Sequence, residues 1–372
     1  MPFALYIQQV WTKARIPTAS CESCSATSIR TVKMVSNLCK HLVEFRLPAS
    51  MRSLARKTEI MSQHGMPYRM VKTKGAKATA FIHIEDPEAL DTFRTQHPLL
   101  TLVWPERQRD MMRSLAMMVS MGGYVPKWPM GAGDTGSMIG QHGATVAADT
   151  WLKGVRDFDM DTLWPALKET ADGPLPPGSY GGRDGIQSYL ERGYVAADLH
   201  STSVSKSLEY AFNDFCLAEL ARELGHDEDA ARYAERAGNY VHLWEPETGF
   251  FRGRNADGSW VEPFEPTNFY LGGGPYTEGS AWQWLWFVPH DEPGLRTLFG
   301  GDAPFLAKLT EFFEKFAETF DFEIPMSWYF HGNEPDLHAP YLFIGAGRPD
   351  LTQKWVRYIL DTNYKPTFDG LI

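Results

Sequence analysis

The chain of 372 residues carries a net charge of −10, with 43% hydrophobic and 22% charged residues, a balance that fits a globular protein with a substantial core. No run of about 18 apolar residues occurs, so no membrane-spanning helix is expected. Residues 1–80 hold 13 Lys/Arg against 3 Asp/Glu and residues 81–372 hold 23 against 43, a break that suggests two regions of different role.

The basic region 1–80 is read as an arm that does not fold as an independent domain, with a domain expected over 81–372. It lacks a basic start followed by a clean apolar stretch, so no secretory signal is expected. Its composition suits a transit-type or RNA-binding arm only poorly, and no nucleic-acid partner is expected. Cys21, Cys24 and Cys39 include one C-x-x-C, but no second pair completes a zinc site. Cys216 falls in a predicted helix and reads as a core residue. Nothing in four cysteines demands an oxidising compartment, and no N-x-[ST] sequon occurs.

From residue 104 onward the periodicity is helical. Helices are expected at 106–121, 142–156, 160–171 and 184–192. In "SVSKSLEYAFNDFCLAELAREL" (203–224), Val204, Leu208, Ala211, Phe212 and Phe215 form one apolar stripe, Ser203 suits the N-cap and Gly225 stops the helix. A second helix follows from His226. Further helices are expected at 278–287, 304–320, 338–346 and 350–363. Alternating strand signals are scarce, so a βαβ sheet is not expected. Helix pairs with short internal turns alternate with long Gly/Pro/aromatic loops at 122–141, 173–183, 245–276 and 321–337. This pattern describes a helical toroid whose functional loops gather at one end.

Two motif matches lack their context. "GAGDTG" (131–136) satisfies G-x-G-x-x-G but follows no strand, and "SVSK" (203–206) matches S-x-x-K without its companions. Two constellations carry more. In "PYTEGSAWQWLWFVPHD" (275–291), Glu278 precedes Trp282, Trp284, Trp286 and Phe287. On a helix, Glu278, Trp282 and Trp286 would share a face. A carboxyl packed against indole holds its proton more firmly and can donate it to a leaving oxygen. A first-turn Glu supporting the helix start, followed by aromatic core, explains the same residues.

In "HGNEPDLHAPYLF" (331–343), His331, Asn333, Glu334, Asp336 and His338 lie within eight residues. The Asn and Glu oxygens suit a hard cation such as calcium, and a hydrogen-bonded helix-capping loop is the alternative. Trp128, Trp260 and Trp328 offer flat faces on loops, suited to stacking on sugar rings or to plugging the toroid.

Taken together, "LDTFRTQHPLLTL", "GGYVPKWPM", "MIGQHGATVAADTWLKGVRDFD", "SKSLEYAFNDFCLAELA", "NYVHLWEPETGFFRGR", "YTEGSAWQWLWFVPHDEPGL", "HGNEPDLHAPYLF" and "DGLI" are colinear over residues 89–372. They resemble the helical catalytic part of glycoside hydrolase family 92, the calcium-dependent exo-acting α-mannosidases. The resemblance implies an (α/α)6 barrel and single-displacement hydrolysis with inversion. The substrate implied is α-1,2-linked mannose in N-glycan or mannan trimming, and the partner a mannose-containing oligosaccharide or glycoprotein glycan. It also implies Glu278 as general acid, Asn333 and Glu334 as calcium ligands that control ring geometry, and Asp91 as a contact to sugar hydroxyls. Trp128, Asp149 and His331 are further candidate substrate contacts.

Departures are equally specific. Leu90 stands where the family has a Trp, and the basic stretch stands where the family has a β-sandwich. The chain stops at Asp369-Gly370-Leu371-Ile372, where the family continues into a G-N-D-D-C-G-Q segment bearing the catalytic base. The chain is therefore expected to be a C-terminally truncated fragment or a degenerate relative, with a non-catalytic mannose-binding remnant as the alternative. The family is commonly secreted or periplasmic. A toroid binding an isoprenoid would call for D-D-x-x-D aspartates, which are absent.

Overall fold

The computed structural model describes residues 92–130, 133–134, 136–176, 179, 182–319 and 327–364. The basic arm, its three cysteines, Asp91 and Asp369 lie outside the described residues. The described chain is mainly α-helical, as expected for a toroid of helix pairs. It runs α1 (Gln96–Val103), α2 (Pro105–Gly122), α3 (His142–Leu152), α4 (Met160–Asp172), α5 (Ile186–Arg192), α6 (Ser203–Leu224) and α7 (Asp227–Ala237). Then come α8 (Ala281–Trp284), α9 (Glu292–Leu298), α10 (Asp302–Glu318), α11 (Leu342–Gly345) and α12 (Pro349–Asn363). Among the described residues the only strands form two antiparallel two-stranded ribbons. These are β1 (Pro129–Met130) with β2 (Gly133–Asp134), and β3 (Trp244–Glu245) with β4 (Phe250–Phe251). None of the described helices is long and apolar enough to cross a membrane.

Helix α6 is the axis of the packing. Its bounds match the expected 203–224, but 17 of its 22 residues are buried, so the apolar stripe read from the sequence understates it. The helix is enclosed on nearly all sides, and most of its buried polar side chains are paired with neighbours, as in Asn213 with Thr145, Asp214 with Arg183 and Glu209 with Arg94. Thr202, at φ +52, is the N-cap in place of Ser203, whose buried Oγ has no hydrogen-bond partner. Gly225 ends the helix at φ +79, donating its N–H to the carbonyls of Ala221 and Arg222. That left-handed cap disfavours any side chain. The chain then turns back into α7, which packs along α6. Cys216 is buried in α6 as expected, and burial pushes its thiol up to about 12.

The second half of the core is aromatic. Trp286 is fully buried and stacks on Phe299 at 5.8 Å, with Phe305 and Phe312 each 5.7 Å away. Phe313, on the same helix as Phe312, meets Tyr329, Phe343 and Trp355. Phe212 of α6 touches Phe287 edge-on at 6.0 Å and joins the two halves. Such ring pairs add to the area they bury.

His290 lies between these halves, against Phe212, Phe215 and Tyr240, and its Nε2–H donates to the Ala237 carbonyl at 2.9 Å. Burial lowers its pKa to about 4, which keeps the ring neutral. A folded value below the unfolded one of about 6.5 means that its contribution is fully present above pH 6.5 and is lost as pH falls through 4. The wild type should therefore lose on the order of 3 kcal/mol between pH 6.5 and pH 4 relative to a His290→Gln variant, which cannot titrate. Urea midpoints at the two pH values measure the difference, and parallel pH profiles would refute it.

Candidate active site

The region before α8 is held by backbone pairing and a helix cap. Tyr270 and Gly279 exchange two N–H···O bonds at 3.0 Å. Ser280 Oγ accepts from the Gln283 N–H at 3.3 Å, while Gln283 Oε1 accepts from the Ser280 N–H at 2.9 Å. This reciprocal cap starts the helix at Ala281 and no earlier. A Cβ on Gly279 would lie 3.0 Å from Trp284 Nε1 and 3.1 Å from Gln283 Oε1. Both atoms are committed to hydrogen bonds, so a side chain at 279 would have to push one of them aside.

Glu278 consequently sits outside the helix, in a turn at φ +44. The expected helix 278–287 is corrected to Ala281–Trp284, and Glu278, Trp282 and Trp286 do not share a helix face. The capping box won over the continuous aromatic period. Trp282 and Trp286 belong to the core, and the indole that accompanies Glu278 is Trp284. Its Nε1–H donates to the Thr277 carbonyl at 2.7 Å. The Thr277 N–H donates in turn to Ser205 Oγ of α6 at 2.9 Å.

Thr277, Glu278 and Trp284 help to line a small, partly open cavity. Asn333, Glu334, Pro335, Met138, Ile139 and Arg94 line the rest of it. The glutamate and the 333–334 turn, 55 residues apart, are also joined directly: Asn333 Nδ2–H donates to the Glu278 carbonyl at 2.7 Å. Glu278 and Glu334 are both half-buried here.

The 331–338 loop is folded around Asp336. That carboxyl is buried, its Oδ2 accepts from the Phe330 N–H at 3.3 Å, and its Oδ1 has no partner. Burial raises its pKa well above the carboxylate range. His338 is kept neutral by burial, with a pKa lowered to about 3, and its Nε2–H donates to the Trp286 carbonyl at 2.6 Å. His331 is bracketed by tyrosine hydroxyls, Tyr329 at Nδ1 (2.6 Å) and Tyr364 at Nε2 (2.7 Å), and burial lowers its pKa.

Of the residues singled out in the sequence, Glu278, Asn333 and Glu334 meet in the cavity. His331, Trp128 and Asp149 are not among its lining residues. Trp128 is half-buried beside β1, its N–H bonded to Asp134 Oδ2 at 3.2 Å. Asp149 is buried in α3 and ion-paired with Lys153 one turn along at 2.6 Å. Burial raises its pKa, against the pull of Lys153. The Trp260 ring is approached by the guanidinium groups of Arg252 and Arg254, 5.9 and 5.2 Å from its centre, and Trp328 packs on Trp282 at 4.7 Å. Arg94, Met138 and Ile139 were missed; Arg94 follows Asp91 by three residues in L-D-T-F-R, a short segment with no periodicity to flag it.

The donor set at the 333–334 turn suits a hard cation. It offers the Asn333 amide oxygen and the Glu334 carboxylate, without sulfur or imidazole. Calcium takes six to eight oxygens. No group of three or more acidic, His or Cys side chains placed to hold a metal ion occurs among the described residues, so a cation here would need further oxygens from water or a ligand.

The glycosyl hydrolase family 92 catalytic domain model matches residues 49–372, beginning well upstream of residue 89. The inverting family 92 mannosidase BT2199 of Bacteroides thetaiotaomicron has 35% identity and a TM-score of 0.69, over 76% of this chain and 40% of its own. The family 92 α-mannosidase BT3965 of the same organism, in complex with mannoimidazole, has 34% identity and a TM-score of 0.67, over 76% and 38%. An uncharacterized secreted glycosidase of Arthroderma benhamiae is 27% identical over 278 residues, 67% of this chain and 34% of its own length. The chain thus spans about two fifths or less of the length of these relatives. With the family model covering most of its residues, the chain belongs to glycosyl hydrolase family 92.

Proposed function

We propose that the chain contributes the helical part of an inverting, calcium-dependent α-mannosidase acting on α-1,2-linked mannose of N-glycans or mannans. The observation that carries this reading is the cavity shared by Glu278 and the Asn333–Glu334 turn, together with membership of a family whose solved relatives include mannosidases. Glu278 is the proton donor. Its carboxyl proton passes to the glycosidic oxygen as the bond from that oxygen to the anomeric carbon breaks, so the leaving sugar departs as an alcohol. Trp284 supplies a rigid apolar wall that limits water on that side of the cavity.

Asn333 and Glu334 would hold calcium, whose chemistry is to grip adjacent sugar hydroxyls and favour a flattened ring. Asp91, Trp128, Asp149 and His331 remain proposed substrate contacts from the family resemblance. Inversion also needs a second carboxylate about 6.5–9.5 Å from the acid to activate water, and we assign that base to none of the described residues.

The test is incubation of the purified chain with α-1,2-mannobiose and calcium. Mannose release that stops on adding a chelator and returns with excess calcium is the expected result. Release indifferent to chelation would overturn the calcium role. Mannose binding without release would leave the second reading, a mannose-binding remnant.

A further inference from the structure

Arg94 lines the cavity beside Glu278 and Glu334 yet has no part in the reaction outlined above. Its guanidinium is fixed from three directions. Nη2–H donates to Glu209 Oε1 at 3.1 Å, and the guanidinium carbon lies 4.7 Å from the Phe93 ring centre and 4.9 Å from that of Phe287. Glu209 is a fully buried carboxylate on α6. Its second oxygen lies 2.9 Å from His142 Nε2, but burial lowers the His142 pKa against the pull of Glu209. Arg94 is therefore the cation that answers the buried charge of Glu209, and a buried carboxylate stripped of its cation is costly.

The pairing uses one of five guanidinium N–H groups. Nε is buried without a hydrogen-bond partner, and Nη1 donates to none of the described residues. A guanidinium immobilised by rings and a carboxylate, with donors to spare at a cavity wall, is preorganised to receive ligand oxygens. On the glycosidase reading, the ligand oxygens that this cavity offers to Arg94 are the hydroxyls of a neutral sugar ring, beside Glu278 and Glu334.

Resting on the glycosidase reading of the cavity, we infer that Arg94 is a substrate-binding residue donating to a ring hydroxyl of the sugar, with Glu209 the positioning residue that aims it. The test is calorimetric titration of the full chain, in calcium, with methyl α-mannoside and its four monodeoxy analogues. The variants are Arg94→Gln, Arg94→Lys and Glu209→Gln. Arg94→Gln should weaken binding of the parent sugar about 10- to 100-fold, the range for one charged hydrogen bond. For the analogue lacking the contacted hydroxyl, that penalty should vanish. Glu209→Gln should give a smaller penalty with the same analogue dependence. Arg94→Lys keeps the charge and guards against misfolding; it should fall between wild type and Arg94→Gln. Unchanged affinity in Arg94→Gln, or an equal penalty on all five sugars, would overturn the assignment. A wild-type chain that binds none of the sugars would instead sink the glycosidase reading itself, and this assignment with it.

Discussion

Glu278→Gln is expected to leave the protein folded and to reduce mannose release about 10²- to 10⁴-fold, the range for a positioned proton donor. The fold should survive because backbone contacts at this turn persist with either side chain: the 278 carbonyl accepts from Asn333, and residue 279 pairs with Tyr270. An amide of the same size fits the same space but cannot deliver a proton. The loss should depend on the leaving group. α-1,2-Mannobiose departs as a poorly acidic alcohol and should show the full effect, whereas an aryl mannoside with an acidic phenol should be nearly spared. Initial rates on the two substrates separate donation from positioning. An equal fall on both would remove Glu278 from the donor role.

Trp286→Ala should have the largest effect on stability, about 3–5 kcal/mol, the usual cost of emptying a large aromatic site. The residue is fully buried among Phe299, Phe305 and Phe312, rings held by α10 and by the segment following α9. The cavity cannot collapse without moving those elements. Trp286→Phe should cost far less, because the indole N–H it deletes has no hydrogen-bond partner and most of the contact area stays. Urea unfolding of the two variants reads the contrast. A Trp286→Ala loss of under about 1 kcal/mol would mean that this cluster is not part of the cooperative core.

The helical architecture was legible because buried faces repeat every three to four residues. The bounds of α6, and those of α2, α4, α10 and α12 to within one or two residues, came from that signal. The 278–287 segment failed for a local reason. Its aromatic period runs on, but Ser280 and Gln283 close a cap that cuts off Glu278, and S-A-W-Q announces this once the capping box is weighed against periodicity. Ser203 is the first helical residue and Thr202 the N-cap, and neither side chain makes a capping bond.

The site itself was legible only through family resemblance, since hydropathy does not say which loops converge. That Glu278 meets Asn333 across 55 residues is a property of the packed helices. Arg94 is the extreme case: it lies in a turn, and its orientation depends on Glu209 of α6, 115 residues away. Asp149 was the reverse, since its salt bridge to Lys153 is readable as a one-turn spacing.

The Asn333-to-Glu278 bond ties the proposed acid to the proposed cation turn mechanically as well as spatially. On the proposed reading, one amide would serve two roles, its nitrogen bonded to the donor's backbone and its oxygen available to a cation. Metal loading and donor alignment then become reciprocal, each strengthening the other by the same free energy. Chelation would remove a Lewis acid and also detune the catalyst's aim.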